Sequence, residues 1–593
     1  MAESPSEVHV VTPHRHRLET WLGIASCIAI LIGRVGLNLH AQRHGVGLSP
    51  DSYRYIQGSR ALLDGHGFSW PKVSKTNIGY SAITWWPPGY SMLLAGSSLI
   101  TGLDVNHAAR FLNGLLTLLA AATMGWVSYE AGPRFIRGAE ALPRRSLWPA
   151  VVAMLLFGVS VDLTMSFANA WSEPPFILVT LLALWAVAKH VERPRLWLAI
   201  LAGALAGMSY WLRYAGIVVL AHAILTTLVL DRRPGWRLRL QSAAAVGVTG
   251  ALFVLALVIR NALVADAAIG REPIAFSHET FVRQLEAMGD GLRTTLSYHA
   301  IPVTDFLDVS QPPSMLRVGL PCLAVALGLV WVIVRRRWKP LPPGGLTPSR
   351  IAVPVTFLSF VVAYVLFLAF VIVFLDPAAG MNWRLLAPAH AVFIVGVVTL
   401  VSVGLHALSR WRWVGAVGLG LVVVATVLLV GSWADTTVIA IRKIASSEQA
   451  QEPRRARWPS VDWAYDTLPP GTWVISNDRG AMPMAARSGW FVMTPPRHSS
   501  SDEEREAYSR RLRESGGAVV WWHMWRRYDE LWAVEMAEAL DLVTLPGSET
   551  WPAHVLVPRE MVDQYAPGTR IGSGKQGLDN PTSRPQTLPS VPK

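Results

Sequence analysis

Cysteine is almost absent. Cys27 and Cys322 are the only two in 593 residues, which excludes a disulfide framework and any cysteine metal motif. Both lie within apolar stretches, where a thiol packs as a small hydrophobe. Charge is scarce as well: 16% of residues are charged and 52% are hydrophobic, with a mean hydropathy of +0.34. A soluble domain of this length would carry more charge and alternate apolar with polar positions. No internal repeat is evident. His66, His278 and His299 stand alone, without metal-ligand spacing, and read as solvated loop histidines. No small-residue cleavage site follows the first apolar segment, so its basic preface, His14 to Arg17, introduces a retained span and not a signal peptide.

What is present is a series of long apolar stretches: Trp21–Leu39, Ala108–Tyr129, Leu147–Phe167, Pro174–Ala188, Leu196–Leu212, Gly216–Leu230, Ser242–Ile259, Val318–Val334, Ile351–Leu375, Leu385–Leu408 and Val414–Trp433. Most could cross the roughly 30 Å apolar core of a bilayer as helices, giving about eleven spans. Gly89–Leu103 is apolar but short and interrupted by glycine and serine, so it is expected to lie in the membrane interface. Many of the 26 tryptophans fall near span ends, as interfacial anchors do.

The net charge of +13 invites a nucleic-acid reading, but the positions of the charges exclude it. Arg134, Arg137, Arg144 and Arg145 follow one span, and Lys189, Arg193 and Arg195 follow another. Arg232, Arg233, Arg237 and Arg239, then Arg335, Arg336, Arg337 and Lys339, then Arg410 and Arg412 complete the series. These are alternate loops, so the charge reports topology and contact with anionic membrane lipids. Residues 1–17 are then a cytoplasmic N-terminus, and 18–433 a transmembrane domain with outer loops at 41–106 and 264–315.

From about residue 434 the composition turns polar. Thr472 to Ser476, Ala518 to Trp522 and His554 to Val557 read as strands; Met482 to Ser488, Glu503 to Glu514 and Glu530 to Leu540 read as helices. Residues 434–564 are expected to form a small extracytoplasmic α/β domain, followed by a Gly/Pro/Ser-rich disordered tail at 565–593. The predicted fold class is an α-helical polytopic membrane protein carrying that domain.

On the outer face this topology collects Asp51, Glu173, Arg213, Arg260, Asp376 and Arg384. Charges at span ends are costly and usually face a cavity or a partner. Carboxylates beside arginines on one membrane face suit acid/base or metal chemistry next to an anion, because arginine matches phosphate bidentately. Each has a plainer role open to it. Asp51 could cap the helix starting at Ser52-Tyr53, Glu173 could answer a helix dipole, and Arg213 and Arg384 could anchor at the interface.

At these residues the chain resembles the GT-C superfamily of integral-membrane glycosyltransferases, most closely the group with protein O-mannosyltransferases, lipid A aminoarabinose transferases and related bacterial polyprenyl-phosphate-sugar enzymes. The matching elements are Asp51-Ser52-Tyr53-Arg54-Tyr55, then Arg60 to Phe68, then Trp86-Pro87-Pro88-Gly89-Tyr90, then Ser172-Glu173-Pro174-Pro175-Phe176, with Arg213 and Arg384 as later outer arginines. Two positions depart from the pattern: Ser52 stands where many members have a second carboxylate, and Trp86 where a basic residue is common.

The resemblance implies a polyprenyl-phosphate-linked sugar as donor and an extracytoplasmic glycan, lipid or protein as acceptor. It implies Asp51 as general base and transfer with inversion. Arg213, Arg384 and Arg260 would bind the donor phosphate. Glu173 would act at the catalytic centre, orienting the acceptor or, with Asp51, holding a divalent cation such as Mg²⁺, Mn²⁺ or Ca²⁺. Tyr53, Trp86, Pro87, Pro88 and Tyr90 would shape the substrate entrance. The implied location is a bacterial inner membrane with the site facing outward. Two other classes remain open: a transporter or flippase of a lipid-linked substrate, for which Arg34 and Asp162 are the charges within spans, and a non-catalytic envelope-assembly scaffold.

Overall fold

The computed structural model describes residues 13–265 except 44, 74–77, 133, 136–143, 146, 232 and 234; then 289, 348–375 and 382–408; scattered positions between 420 and 442; 463–476 except 465; 489–522 except 494, 497 and 498; 533–545; and 553–566. Two compact units emerge, and neither is continuous in sequence. One comprises Met1–Ala41, Thr84–Tyr90 and Phe111–Arg442; the other comprises Gln42–Ile83, Ser91–Arg110 and Lys443–Lys593.

The first unit is a helical bundle. Its apolar stretches fold as helices because leucine, alanine and valine runs satisfy every backbone group internally, as a bilayer requires. Among the described residues six helices are long and apolar enough to cross a membrane: Thr20–Ala41 within α1 (Pro13–Ala41), α4 (Val105–Ala131), α7 (Glu173–Glu192), α10 (Trp236–Ala265), Ile351–Phe374 within α11 (Pro348–Phe374) and Trp383–His406 within α12 (Trp383–Leu408). Two shorter apolar helices, α8 (Leu196–Leu212) and α9 (Gly216–Leu230), pack among them. The expected spans Val318–Val334 and, for the most part, Val414–Trp433 lie outside the described residues, as do Asp376, the outer loop 264–315 except for 264, 265 and 289, and the helix expected at 482–488.

One expectation is corrected. Leu147–Phe167 reads as a single span, but the chain breaks at Ser160 into α5 (Trp148–Val159) and α6 (Val161–Ala168), bent by 67°. Ser160 leaves helical geometry at φ −75°, ψ 120°, and its Oγ accepts from Leu163 N–H to cap α6. No proline marks the break; a serine that caps its own backbone supplies it.

Helices α8 and α10 cross closely through glycine. A Cβ on Gly203 would lie 2.4 Å from Val246 O, and one on Gly207 would lie 2.8 Å from Gly250 O. Small residues let backbones approach where packing, not the hydrophobic effect, drives helix association.

The second unit contains α2 (Pro50–Leu63), the hairpin β1 (Ser69–Val73) with β2 (Ile78–Ala82), and a five-stranded sheet. Helix α3 (Gly89–Thr101) has 13 residues, about 20 Å, so it is too short to span a bilayer. The sheet joins β3 (Trp473–Ser476), β4 (Phe491–Met493), β5 (Ala518–Trp522), β6 (Leu542–Thr544) and β7 (Ala553–Pro558) in the order β4-β3-β5-β7-β6. β3 runs parallel to β4 and β5, while β7 is antiparallel to β5 and β6. Helix α13 (Asp502–Ser515) starts at Ser501, whose Oγ accepts from Glu504 N–H, and ends at Gly516, whose φ of 64° suits glycine. Leu512, Ile475, Val519, Met536 and Leu556 form the core under the sheet. The three expected strands are present; β4 and β6 are additional, with three residues each, too short for alternation to register.

Candidate functional site

Glu173 opens α7, and Pro174 follows it in the first turn, where a missing N–H costs nothing. Its carboxylate is completely buried. Oε1 accepts from Arg384 Nε at 2.6 Å and also forms an ion pair with Arg213 Nη1. Both arginines come from helix ends. Arg213 is the C-cap of α8, with extended backbone (φ −151°, ψ 138°), and Arg384 is the second residue of α12. The turn after Arg213 requires Gly216, since a Cβ there would lie 2.3 Å from Ser209 C.

Aromatic side chains hold Arg384 in place. Its guanidinium lies 4.2 Å from the ring centre of Trp171, which in turn meets Trp383 at 5.8 Å. Tyr364 donates to Leu385 O at 3.2 Å, fixing the first turn of α12. Two guanidiniums thus face one carboxylate, and their side chains are 15% and 21% exposed. Glu173 Oε2 makes no hydrogen bond among the described residues. Such a cluster can bind an anion bidentately.

Arg260 does not join this group directly. Its Nη1 donates to Asn261 Oδ1 at 2.9 Å, and Asn261 Nδ2 donates to the Tyr214 hydroxyl at 3.3 Å. Tyr214 follows Arg213 and donates to Thr84 O. Thr84 stands just before the Trp-Pro-Pro element. Pro87, Pro88 and Tyr90 are buried and Trp86 half-buried, with Trp85 and Trp86 stacked at 6.3 Å. A Cβ on Gly89 would lie 2.5 Å from Trp211 O, so this element rests on the end of α8 that carries Arg213.

Asp51 belongs to the other unit. It sits in the first turn of α2, with Pro50 at the start of the helix. The cap is Ser49, not Asp51: Ser49 Oγ accepts from Ser52 N–H at 3.3 Å, and Ser52 Oγ accepts from Ser49 N–H at 3.0 Å. Tyr53 is completely buried, and its hydroxyl accepts from Val492 N–H at 2.9 Å.

A divalent cation does not fit Glu173. Its Oε1 already faces two guanidiniums, and a third positive centre would be repelled by both. Among the described residues no group of three or more His, Cys, Asp or Glu is placed to hold a metal ion. Four contributors had no site role in the sequence: Trp171, which reads there as an interfacial anchor, Tyr214, which reads only as the outer-side neighbour of Arg213, and Asn261 and Tyr364. Trp171 adjoins Ser172-Glu173 and could have been read as part of that element, whereas Tyr364 and Asn261 lie inside apolar helices with nothing local to mark them.

No family model matches the chain, and no curated protein matches it. Solved structures do. ArnT from Cupriavidus metallidurans bound to undecaprenyl phosphate is similar at 13% identity and a TM-score of 0.47, over 91% of this chain and 97% of that one. The archaeal oligosaccharyltransferase AglB from Archaeoglobus fulgidus, in complex with an inhibitory peptide and a dolichol-phosphate, is similar at 13% identity and a TM-score of 0.44, over 85% and 70%. The protein O-mannosyltransferase Pmt1-Pmt2 complex of S. cerevisiae is similar at 14% identity and a TM-score of 0.29, over 41% and 33%. These neighbours are glycosyltransferases of the GT-C type.

Proposed function

We propose that this chain is an integral-membrane glycosyltransferase that moves a sugar from a polyprenyl-phosphate donor to a hydroxyl of an extracytoplasmic glycan, lipid or protein, with inversion. The observation that carries this reading is the pair of guanidiniums, Arg213 and Arg384, held by one buried carboxylate, Glu173. A phosphate leaving group needs donors that are already in place when negative charge develops on it. Glu173 and Trp171 supply that alignment. Between two cations, Glu173 suits positioning of the arginines better than proton transfer.

The proposed step is a single displacement. Asp51 takes the proton from the acceptor hydroxyl as its oxygen attacks the anomeric carbon. The bond from that carbon to the phosphate oxygen breaks, and polyprenyl phosphate leaves with the electron pair beside Arg213 and Arg384. A base of this kind contributes about 10²–10⁴-fold. Asp51 takes this role from the family resemblance, and its place in the first turn of a capped helix is compatible with it.

The test uses the purified full-length protein in nanodiscs with a set of labelled polyprenyl-phosphate hexoses and pentoses, and envelope extract as acceptor. Wild type is expected to transfer label from at least one donor, and Asp51→Asn to lose at least about 10²-fold of that rate. Transfer by Asp51→Asn at the wild-type rate removes Asp51 as the base. A wild type inert towards every donor removes the transferase reading.

Transport is the second reading, and one feature favours it. The span broken at Ser160 carries buried Asp162, whose Oδ2 lies 3.7 Å from His390 Nδ1, and Arg34 is buried against Phe157. A flippase would move the labelled lipid across a vesicle membrane without changing its sugar.

A further inference from the structure

Strand β4 is an edge of the five-stranded sheet. On its inner side Phe491 N–H bonds to Thr472 O at 2.8 Å. On its outer side the backbone groups would be left open, as on any edge strand. Two side chains from far earlier in the chain close them. Tyr53 accepts from Val492 N–H at 2.9 Å, and Gln57 Nε2 donates to Trp490 O at 3.0 Å. Tyr53 and Gln57 stand four residues apart on α2 and so share one face. They are 0% and 1% exposed. The strand beneath them is itself tied down, since Trp490 Nε1 donates to Leu468 O at 3.0 Å.

Other faces of α2 are fixed as well. Phe68 packs on Gly58 so closely that a Cβ there would lie 2.6 Å from its ring. Arg54 lies over Trp70 at 3.2 Å, and Ser59 Oγ bonds to Tyr55 O and Ser91 O at 2.7 and 3.0 Å. Asp51 precedes Tyr53 by two residues, about 200° around the helix, so it projects from the side of α2 away from the sheet edge. A helix held at Tyr53 and Gln57 has its rotation and its height fixed, and with them the placement of Asp51.

We propose that the C-terminal sheet is a positioning element for Asp51, acting through Tyr53 and Gln57. The inference rests on the reading of Asp51 as the base and assigns a role to Leu468, Trp490 and Val492 that the reading leaves open. Tyr53 and Gln57 are positioning residues: they bond to backbone and not to substrate.

The test compares the full-length wild type, the double variant Tyr53→Phe/Gln57→Leu, and Ser501→Ala, which removes the cap of α13 in the same unit. Asp51→Asn is run in parallel. Amide exchange of residues 50–63 is measured together with kinetics on the labelled polyprenyl-phosphate sugar that the wild type uses. The double variant is expected to exchange faster across 50–63 and to lose about 10- to 100-fold in kcat, the scale of a misplacement near 1 Å. Its KM for the donor is expected to stay within about twofold, because phosphate binding is assigned elsewhere. Ser501→Ala is expected to lower the melting temperature and leave kcat unchanged. The inference is overturned if the double variant keeps its kcat, if kcat falls without faster exchange at 50–63, or if Ser501→Ala lowers kcat equally. An inactive Asp51→Asn beside an unimpaired double variant overturns this inference alone, whereas a fully active Asp51→Asn overturns the reading beneath it.

Discussion

Arg384 Nε donates to Glu173 Oε1 at 2.6 Å, across 211 residues of sequence. Each residue lies in the first turn of its helix. A carboxylate there is favoured by the helix dipole and a guanidinium is not, so Glu173 offsets a position that would otherwise disfavour Arg384. Arg213 arrives from a helix C-terminus, where a cation is favoured, and completes the triad.

Glu173→Gln tests the carboxylate. The amide oxygen can still accept a hydrogen bond, but two largely buried guanidiniums lose the negative charge that both contact. Breaking a buried pair in this way costs about 3–5 kcal/mol. Thermal unfolding in detergent should show a lower melting temperature and glycosyl transfer should be lost; an unchanged melting temperature would mean that the arginines find another anion.

Arg384→Lys keeps the charge and removes the fork. Lysine cannot reproduce the bond from Nε to Glu173 together with the stack on Trp171. Donor turnover should fall at least tenfold with only modest destabilisation, as read from kcat beside the melting curve. Wild-type turnover would show that charge alone suffices.

Gly203→Ala probes the bundle. The added methyl would meet Val246 O at 2.4 Å, where backbone and not a flexible side chain must give way. Overpacking of this kind costs about 1–3 kcal/mol. Denaturant unfolding of the full chain should report the loss, and Gly33→Ala, at a site with open space, serves as the neutral comparison.

Tyr53 gives the second unit a dependence on alkaline pH. Burial pushes its phenol up from the ordinary 10.0, and Arg54, the bond from Val492 and Arg60 pull the other way without cancelling it. The folded state therefore favours the neutral phenol. That contribution is complete below pH 10 and is lost as pH rises through the raised folded value. Ultraviolet titration of phenolate should show one fewer late-titrating tyrosine in Tyr53→Phe than in wild type. An identical late phase would place Tyr53 in contact with solvent.

Much of the membrane unit was legible in sequence because a helix in lipid needs only local information: an apolar run of sufficient length, bounded by polar or basic residues. The ends of α7, α8, α9 and α12 fall within a few residues of the apolar stretches that announce them. The break at Ser160 was not legible: Asp162 marked only a charge within the stretch, and one serine hydroxyl closes the new helix end. Strands β3, β5 and β7 followed from β-branched and aromatic runs, while β4 and β6 owe their existence to a sheet already formed beside them.

The sequence by itself determined which residues could form a site: Glu173, Arg213 and Arg384 were marked by charge at the ends of apolar helices, where burial is costly without a partner. Only the tertiary structure decided who the partner is, because three helix ends far apart in sequence meet at one carboxylate oxygen. The same holds for α2. Its sequence specifies a capped helix, but the hydrogen bonds that fix its rotation come from Trp490 and Val492. Periodicity and propensity act over a few residues, whereas pairing a buried polar group depends on which distant backbone folding brings within about 3 Å.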